Sequence, residues 1–377
     1  MTRDSQRDAA QAGWVAWQRG DAATARVLFE QVAAAGVANP ALWLLLAQAR
    51  IATGAEDLVD AALDRVLTME PRNLGALILK GDRAADDRAA TSFYQLAVAQ
   101  AQRPQSADPA SAALIREAQA KLARISERFA AHLRATLAAH PAGARFDEAL
   151  ALTLGEKQIF FQSPTSFFFP GLPHRQFFPP AEFDWATEMM AATDAIATEL
   201  HAVLDAGAGL SPYVRADPTR ANRGHALLED PRWSAFHLIE NGAPVPDAEA
   251  RFPRTIEALA RVPMPVIAGR SPMALFSVLQ PDTHIPPHSG MLNTRLICHL
   301  PLIVPADCRL RVGNDVRLVE RGKLMIFDDS IEHEAWNQSD STRVVLLFEI
   351  WRPELAADER AALTALFETV GLYGGGQ

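Results

Sequence analysis

The spacing of apolar positions changes character along this chain. From about residue 10 to 100, apolar side chains recur every three or four positions, as in Trp14 and Trp17 and then Ala25, Leu28, Phe29 and Val32. That spacing places them on one face of an α-helix. The stretch also resembles itself at an offset of 34 residues, with Gly20 matching Gly54, Phe29 matching Leu63, Asn39 matching Asn73 and Trp43 matching Leu77. This is the period of tetratricopeptide repeats. A glycine between helices permits a tight turn, and Asn39-Pro40 caps and opens the next helix. A third, degenerate copy runs through Ser92, Phe93, Leu96 and Ala97. A plain helical bundle is the alternative, because Ala-rich helices match one another by coincidence.

The polar run RPQSADP at 103–109 has turn chemistry and precedes a long helix predicted near 110–138, expected to bridge two domains. From Phe160 the texture becomes aromatic and proline-rich, and Phe167-Phe168-Phe169-Pro170-Gly171-Leu172-Pro173 cannot continue a helix. A helix returns over about 185–204. Beyond Pro272, short apolar or alternating runs separated by Pro, Gly, Asn and Asp predict strands at 274–279, 295–300, 308–312, 324–327 and 344–351, with Gly313-Asn314 as a hairpin turn. Many short strands point to a sandwich or barrel, including the jelly roll of cupin-like enzymes. The predicted class is α+β: a helical repeat domain over 1–104, a connecting helix over 105–150 and a β domain over 151–377.

Composition narrows the functional classes. With 49% hydrophobic and 21% charged residues the chain has a soluble mixture, and no apolar run is long enough to span a bilayer. The first residues lack the apolar core of a secretory signal, so a cytoplasmic location is expected. A formal charge of −9 gives no basic footprint for nucleic acid. Cys298 and Cys308 are too few for a disulfide framework or a thiolate zinc site, and are expected to be buried.

The chemistry concentrates in His284-Ile-Pro-Pro-His288-Ser-Gly290, in Asp328-Asp329-Ser330-Ile331-Glu332-His333-Glu334, and in Arg343 on the strand that follows. Imidazole suits divalent iron, usually as two His and one carboxylate on one face of the ion. An arginine can clamp the far carboxylate of an oxo-diacid with two parallel hydrogen bonds. By residue type alone, metal-free histidines and an Arg343 paired to Glu349 are equally open. Pro286 and Pro287 exclude a helical zinc pair of His284 with His288, which leaves His284 a supporting role, and Asp328 is placed as a turn cap.

Over roughly residues 155–355 the sequence resembles the aspartyl/asparaginyl β-hydroxylases. The resemblance is carried by the 169–173 turn, Trp233-Ser234-Ala235-Phe236, Pro253-Arg254-Thr255, Pro287-His288-Ser289-Gly290, Asn293-Thr294-Arg295-Leu296 and the 327–336 block. It implies a double-stranded β-helix binding Fe(II), with 2-oxoglutarate and O2 as co-substrates. His288 and His333 would be the metal ligands, and Arg343, Ser277 and His299 would hold the oxo-acid. Gly290 stands where most iron oxygenases carry the third ligand. The family shares this absence, and Asp329 would instead support a metal-bound water; otherwise Asp329 is a turn residue. Trp233 is either a core aromatic or a contact of co-substrate or substrate.

The reaction implied is oxidative decarboxylation of 2-oxoglutarate to succinate and CO2, coupled to hydroxylation of an Asp- or Asn-like side chain in a peptide or protein. Stacked helical repeats offer concave surfaces for such a peptide, or for dimerisation. The alternatives are a repeat-based interaction module with a silent jelly roll, and a hydroxylase of a small molecule or lipid.

Overall fold

The computed structural model describes residues 2–102, 108–206, 209–216, 224 and 226–374. The architecture is α+β and separates into two compact units, Met1–Leu154 and Gly155–Gln377.

The first unit is helical. Helices span Arg3–Gln18, Ala22–Ala34, Pro40–Ala52, Val59–Met69, Leu74–Asp82, Asp87–Val98, Pro109–Leu137 and Ala144–Thr153. Residues 34 apart occupy equivalent places. Gly20 and Gly54 follow helix ends with φ of 81° and 71°, a region glycine enters without a Cβ clash. Asn39 Oδ1 accepts from the N–H groups of Ala41 and Leu42, and Asn73 Oδ1 from that of Ala76, so both side chains satisfy helix donors that lack internal partners. Phe29, Leu63 and Ala97 are all buried. The predicted turn at 103–107 lies outside the described residues. The Pro109–Leu137 helix is part of this unit instead of a separate connector: Leu114, Ala118 and Leu122 pack against Leu77, Ile78 and Tyr94, an apolar seam that a free-standing bridge would leave in water.

Among its described residues the second unit carries twelve strands: β1 Phe177–Phe178, β2 Ser211–Pro212, β3 Trp233–Glu240, β4 Ala243–Pro244, β5 Ala274–Leu279, β6 Thr283–His288, β7 Arg295–Ile303, β8 Cys308–Val312, β9 Asp315–Leu318, β10 Met325–Phe327, β11 His333–Asn337 and β12 Arg343–Trp351. They form an eight-stranded antiparallel sheet in the order β1-β10-β7-β12-β5-β3-β2, with β4 on β3, and a four-stranded sheet in the order β6-β11-β8-β9. The large sheet is covered on both faces. Val344, Leu346, Phe348 and Ile350 join Ile196, Leu200 and Leu259 of the helices Thr193–Ala206 and Pro253–Leu259. Val345 and Leu347 join Ile285, Leu310, Val312 and Ala335 of the small sheet. The two-residue period of β12 thus serves two cores.

Seven strands escape the sequence patterns, each for a local reason, and β1, β2 and β4 do so because they are only two residues long. β3 is buried nearly throughout and shows no polar alternation. β6 contains Pro286 and Pro287, which a strand tolerates because β6 is the edge of its sheet. β9 has no buried residue to mark an inner face, and β11, His-Glu-Ala-Trp-Asn, is mostly polar. The pair Val312↔Asp315 leaves Gly313-Asn314 as a two-residue hairpin turn, with Gly313 at φ 56°. The helix expected over 185–204 is two, Ala186–Ala191 and Thr193–Ala206.

Candidate functional site

β6 and β11 place their histidines side by side, in the pair His333↔His288. Two residues further along β11, Ala335 pairs with Ile285, three residues from His288, so β6 carries one extra residue here. A regular pleat would send residues 285 and 288 to opposite faces. The bulge turns both toward the space between the sheets.

The ring centroids of His288 and His333 are 4.1 Å apart. Each Nδ1 lies against a backbone carbonyl two residues earlier, Pro286 O at 2.8 Å and Ile331 O at 3.0 Å. A carbonyl only accepts, so Nδ1 carries the proton, and in the neutral ring Nε2 keeps its lone pair. Burial, and then the neighbouring His288, pull the His333 pKa down to about 3, so its ring is neutral at pH 7.

The histidines open on a cavity of about 490 Å³ that is also lined by Asp329, Ser277, His299, Arg343 and Trp233. Every site residue expected from the sequence is therefore present on one surface. The large sheet supplies Arg343 from β12, Ser277 from β5, His299 from β7 and Trp233 from β3. Trp233 Nε1 donates to Ser277 Oγ at 3.1 Å, leaving the hydroxyl hydrogen to donate elsewhere, and Tyr213 stacks on Trp233 at 3.9 Å and 8°. His299 is kept neutral by burial and by the Arg343 charge.

Arg343 is 1% exposed, and its Nε and Nη1 have no hydrogen-bond partner. Burial pushes its pKa down to about 10. The pairing with Glu349 does not occur: Glu349 instead bonds Arg295 and the Met273 N–H. The cation most deeply placed in the cavity thus lacks a protein counter-ion, while Arg295 has one.

Asp329 is 6% exposed, its Oδ1 has no partner, and burial raises its pKa to about 7. Its nearest cation, Arg295 Nη2, stands 3.8 Å from Oδ2. A Cβ built on Gly290 would overlap the Asp329 carboxylate, and Gly290 N donates to Asp329 O at 2.6 Å. The space of a third ligand at 290 is filled from 329. Among the described residues no group of three His, Cys, Asp or Glu side chains is arranged to hold a metal ion. The donors are two imidazoles with one carboxylate beside them, a set that suits a divalent transition metal with several open positions.

His284 faces away from the cavity, bonded to Glu334 at 2.7 Å and stacked on Trp336. Asp328 turns its carboxylate to Ser330 and Arg352. Arg295 and Tyr213 were not singled out from the sequence as site residues. Arg295 stood in the Asn293-Thr294-Arg295-Leu296 motif, but nothing local shows which carboxylate it meets.

Similarity to known proteins falls on the part of the chain that carries these strands. Residues 190–353 match the family model of aspartyl/asparaginyl β-hydroxylase. The matched segment lies within the second unit and is similar to that family. The aspartyl/asparaginyl β-hydroxylase of Homo sapiens is 36% identical over 141 residues, 37% of this chain and 18% of the relative. Aspartate β-hydroxylase domain-containing protein 2 of Xenopus tropicalis is 31% identical over 212 residues, 55% of each chain. The ornithine lipid ester-linked acyl 2-hydroxylase of Rhizobium tropici is 36% identical over 176 residues, 46% of this chain and 59% of the relative. The chain thus matches between 18% and 59% of the lengths of these three relatives.

Proposed function

We propose that the second unit is a double-stranded β-helix hydroxylase that depends on Fe(II) and 2-oxoglutarate and modifies an Asp- or Asn-like side chain of a peptide or protein. The observation that supports this most is Arg343. A buried guanidinium without a counter-ion costs several kcal/mol, and a silent domain would have no reason to keep one beside the neutral rings of His299 and His333. A carboxylate of an oxo-diacid would satisfy Nε and Nη1 together, in the planar fork that arginine offers.

His288 and His333 would hold the iron through Nε2. The iron with its oxo-acid and O2 supplies the oxidising power that no side chain of the cavity has. Arg343 anchors the oxo-acid, the Ser277 hydroxyl donates to it, and neutral His299 adds a hydrogen bond without competing charge. Asp329 Oδ1 accepts from water in the cavity, and Phe327, Ile297 and Leu347 close the walls against bulk solvent. The stacked helices of the first unit would bind the peptide as an extended segment. Among the described residues no helix is long and apolar enough to cross a membrane. The second substrate reading is an acyl chain, favoured by the Rhizobium tropici relative and by Met273, Ile285 and Met291 in the cavity wall.

Anaerobic titration with Fe(II) and then 2-oxoglutarate tests the proposal through a visible charge-transfer band. Wild type should develop the band, and His288→Ala and His333→Ala should not. Arg343→Lys keeps the charge but loses the fork, so it should need roughly tenfold to a hundredfold more 2-oxoglutarate. A wild-type chain without the band would refute the proposal.

A further inference from the structure

Behind the cavity wall lies a second group of buried polar side chains, none of which lines the cavity. Arg352 Nη1 donates to Asp328 Oδ2 at 2.6 Å, and its Nη2 to Pro173 O at 2.9 Å. Gln162 Nε2 donates to the same Asp328 oxygen at 2.7 Å. Asp328 Oδ1 accepts from the N–H and hydroxyl of Ser330. Asn293 Nδ2 completes the chain at Gln162 Oε1, 3.0 Å away. All five residues are buried.

The backbone between β10 and β11 alternates between this network and the cavity. Asp328 and Ser330 point into the network, and Asp329 between them points into the cavity. Asp329 does not hold itself, since its Oδ1 has no partner and Arg295 is 3.8 Å from its Oδ2. Its direction is set by its neighbours on both sides. Three residues beyond Ser330, the same segment delivers His333. A buried ion pair is a poor route to stability compared with apolar packing, but it can specify one conformation.

We propose that Arg352 is a positioning residue for the metal centre: acting through Asp328, it fixes the 328–333 segment so that Asp329 and His333 meet Gly290 and His288. The proposal rests on His288 and His333 being metal ligands. Co(II) is a suitable probe, because its visible spectrum reports ligand geometry without turnover. Arg352→Lys keeps the charge but cannot reach Asp328 and Pro173 O with the same fork. The folded variant should bind Co(II) about tenfold more weakly, with a shifted spectrum. Gln162→Met, which removes the second donor to Asp328, should move affinity the same way by a smaller factor. Phe252→Leu, in the core on the helix-covered face, should lower the melting temperature and leave Co(II) affinity alone. Wild-type affinity and spectrum in both Arg352→Lys and Gln162→Met would overturn the positioning role while leaving the metal site standing. If Arg352→Lys does not fold, unchanged affinity in Gln162→Met overturns it alone. A wild-type chain that binds no Co(II) would overturn the reading of His288 and His333, and the positioning role with it.

Discussion

The two faces of the large sheet are built from the same strands and follow opposite rules. Toward the helices, β12 presents Val344, Leu346, Phe348 and Ile350, and β5 presents Ala274, Phe276 and Val278, all apolar. Toward the small sheet the intervening positions include Arg343, Ser277 and His299. Half of the buried side-chain nitrogen and oxygen atoms without a partner among the described residues belong to Arg343, Asp329 and Arg295 around this cavity. One face is complete as folded. The other leaves hydrogen-bonding capacity that the protein does not use on itself, which is the mark of a place where something else binds.

The comparison can be broken by substitutions whose signs should differ. Phe348→Ala on the helix-covered face removes a fully buried ring and should destabilise by about 3–5 kcal/mol. In urea unfolding this appears as a lower midpoint with an unchanged slope; a wild-type midpoint would deny that this face is a packed core.

On the cavity face, the metal-free chain should become more stable when Asp329 is replaced. Its folded pKa of about 7 lies well above the ordinary value of an aspartate, so the folded state holds its proton longer. The cost of ionising it is absent at pH 4, grows as pH rises toward 7 and is complete above 7. Asp329→Asn should therefore gain on the order of 4 kcal/mol at pH 8 and almost nothing at pH 4. A gain independent of pH would assign the effect to shape instead of charge.

Arg343→Met gives the smallest expected shift. The folded pKa near 10 is below the ordinary value of an arginine, so the penalty for burying the cation is present throughout the ordinary pH range and fades only above 10. Removing it should raise the stability of the ligand-free chain by about 3 kcal/mol while abolishing stabilisation by 2-oxoglutarate. A lower melting temperature for Arg343→Met would make the arginine structural and erase the distinction between the faces.

Legibility in the sequence followed the range of the interaction. The strands at Ala274–Leu279 and Cys308–Val312 coincide with runs of strand-forming residues between turn residues. Asn39 and Asn73 announced helix starts because a cap bonds only two or three residues ahead. His288 and His333 were recognisable as parts of motifs, yet the reason His288 faces His333 is a bulge, which exists only once two strands are in register. Pro286 and Pro287 hid β6 because edge position is a property of the sheet, not of the segment.

The sequence alone determined the helical character of the first 100 residues, five strands of the β unit and the chemical types that meet in the site. Only the tertiary structure decided how the charges were shared. It gave Glu349 to Arg295 and Asp328 to Arg352, left Arg343 without a carboxylate, and put the Asp329 carboxylate where a side chain at Gly290 would stand. Helices and strands are written in spacings of a few residues, which the chain carries locally. An ion pair joins groups tens of residues apart, and its partners are chosen by strand order, register and burial.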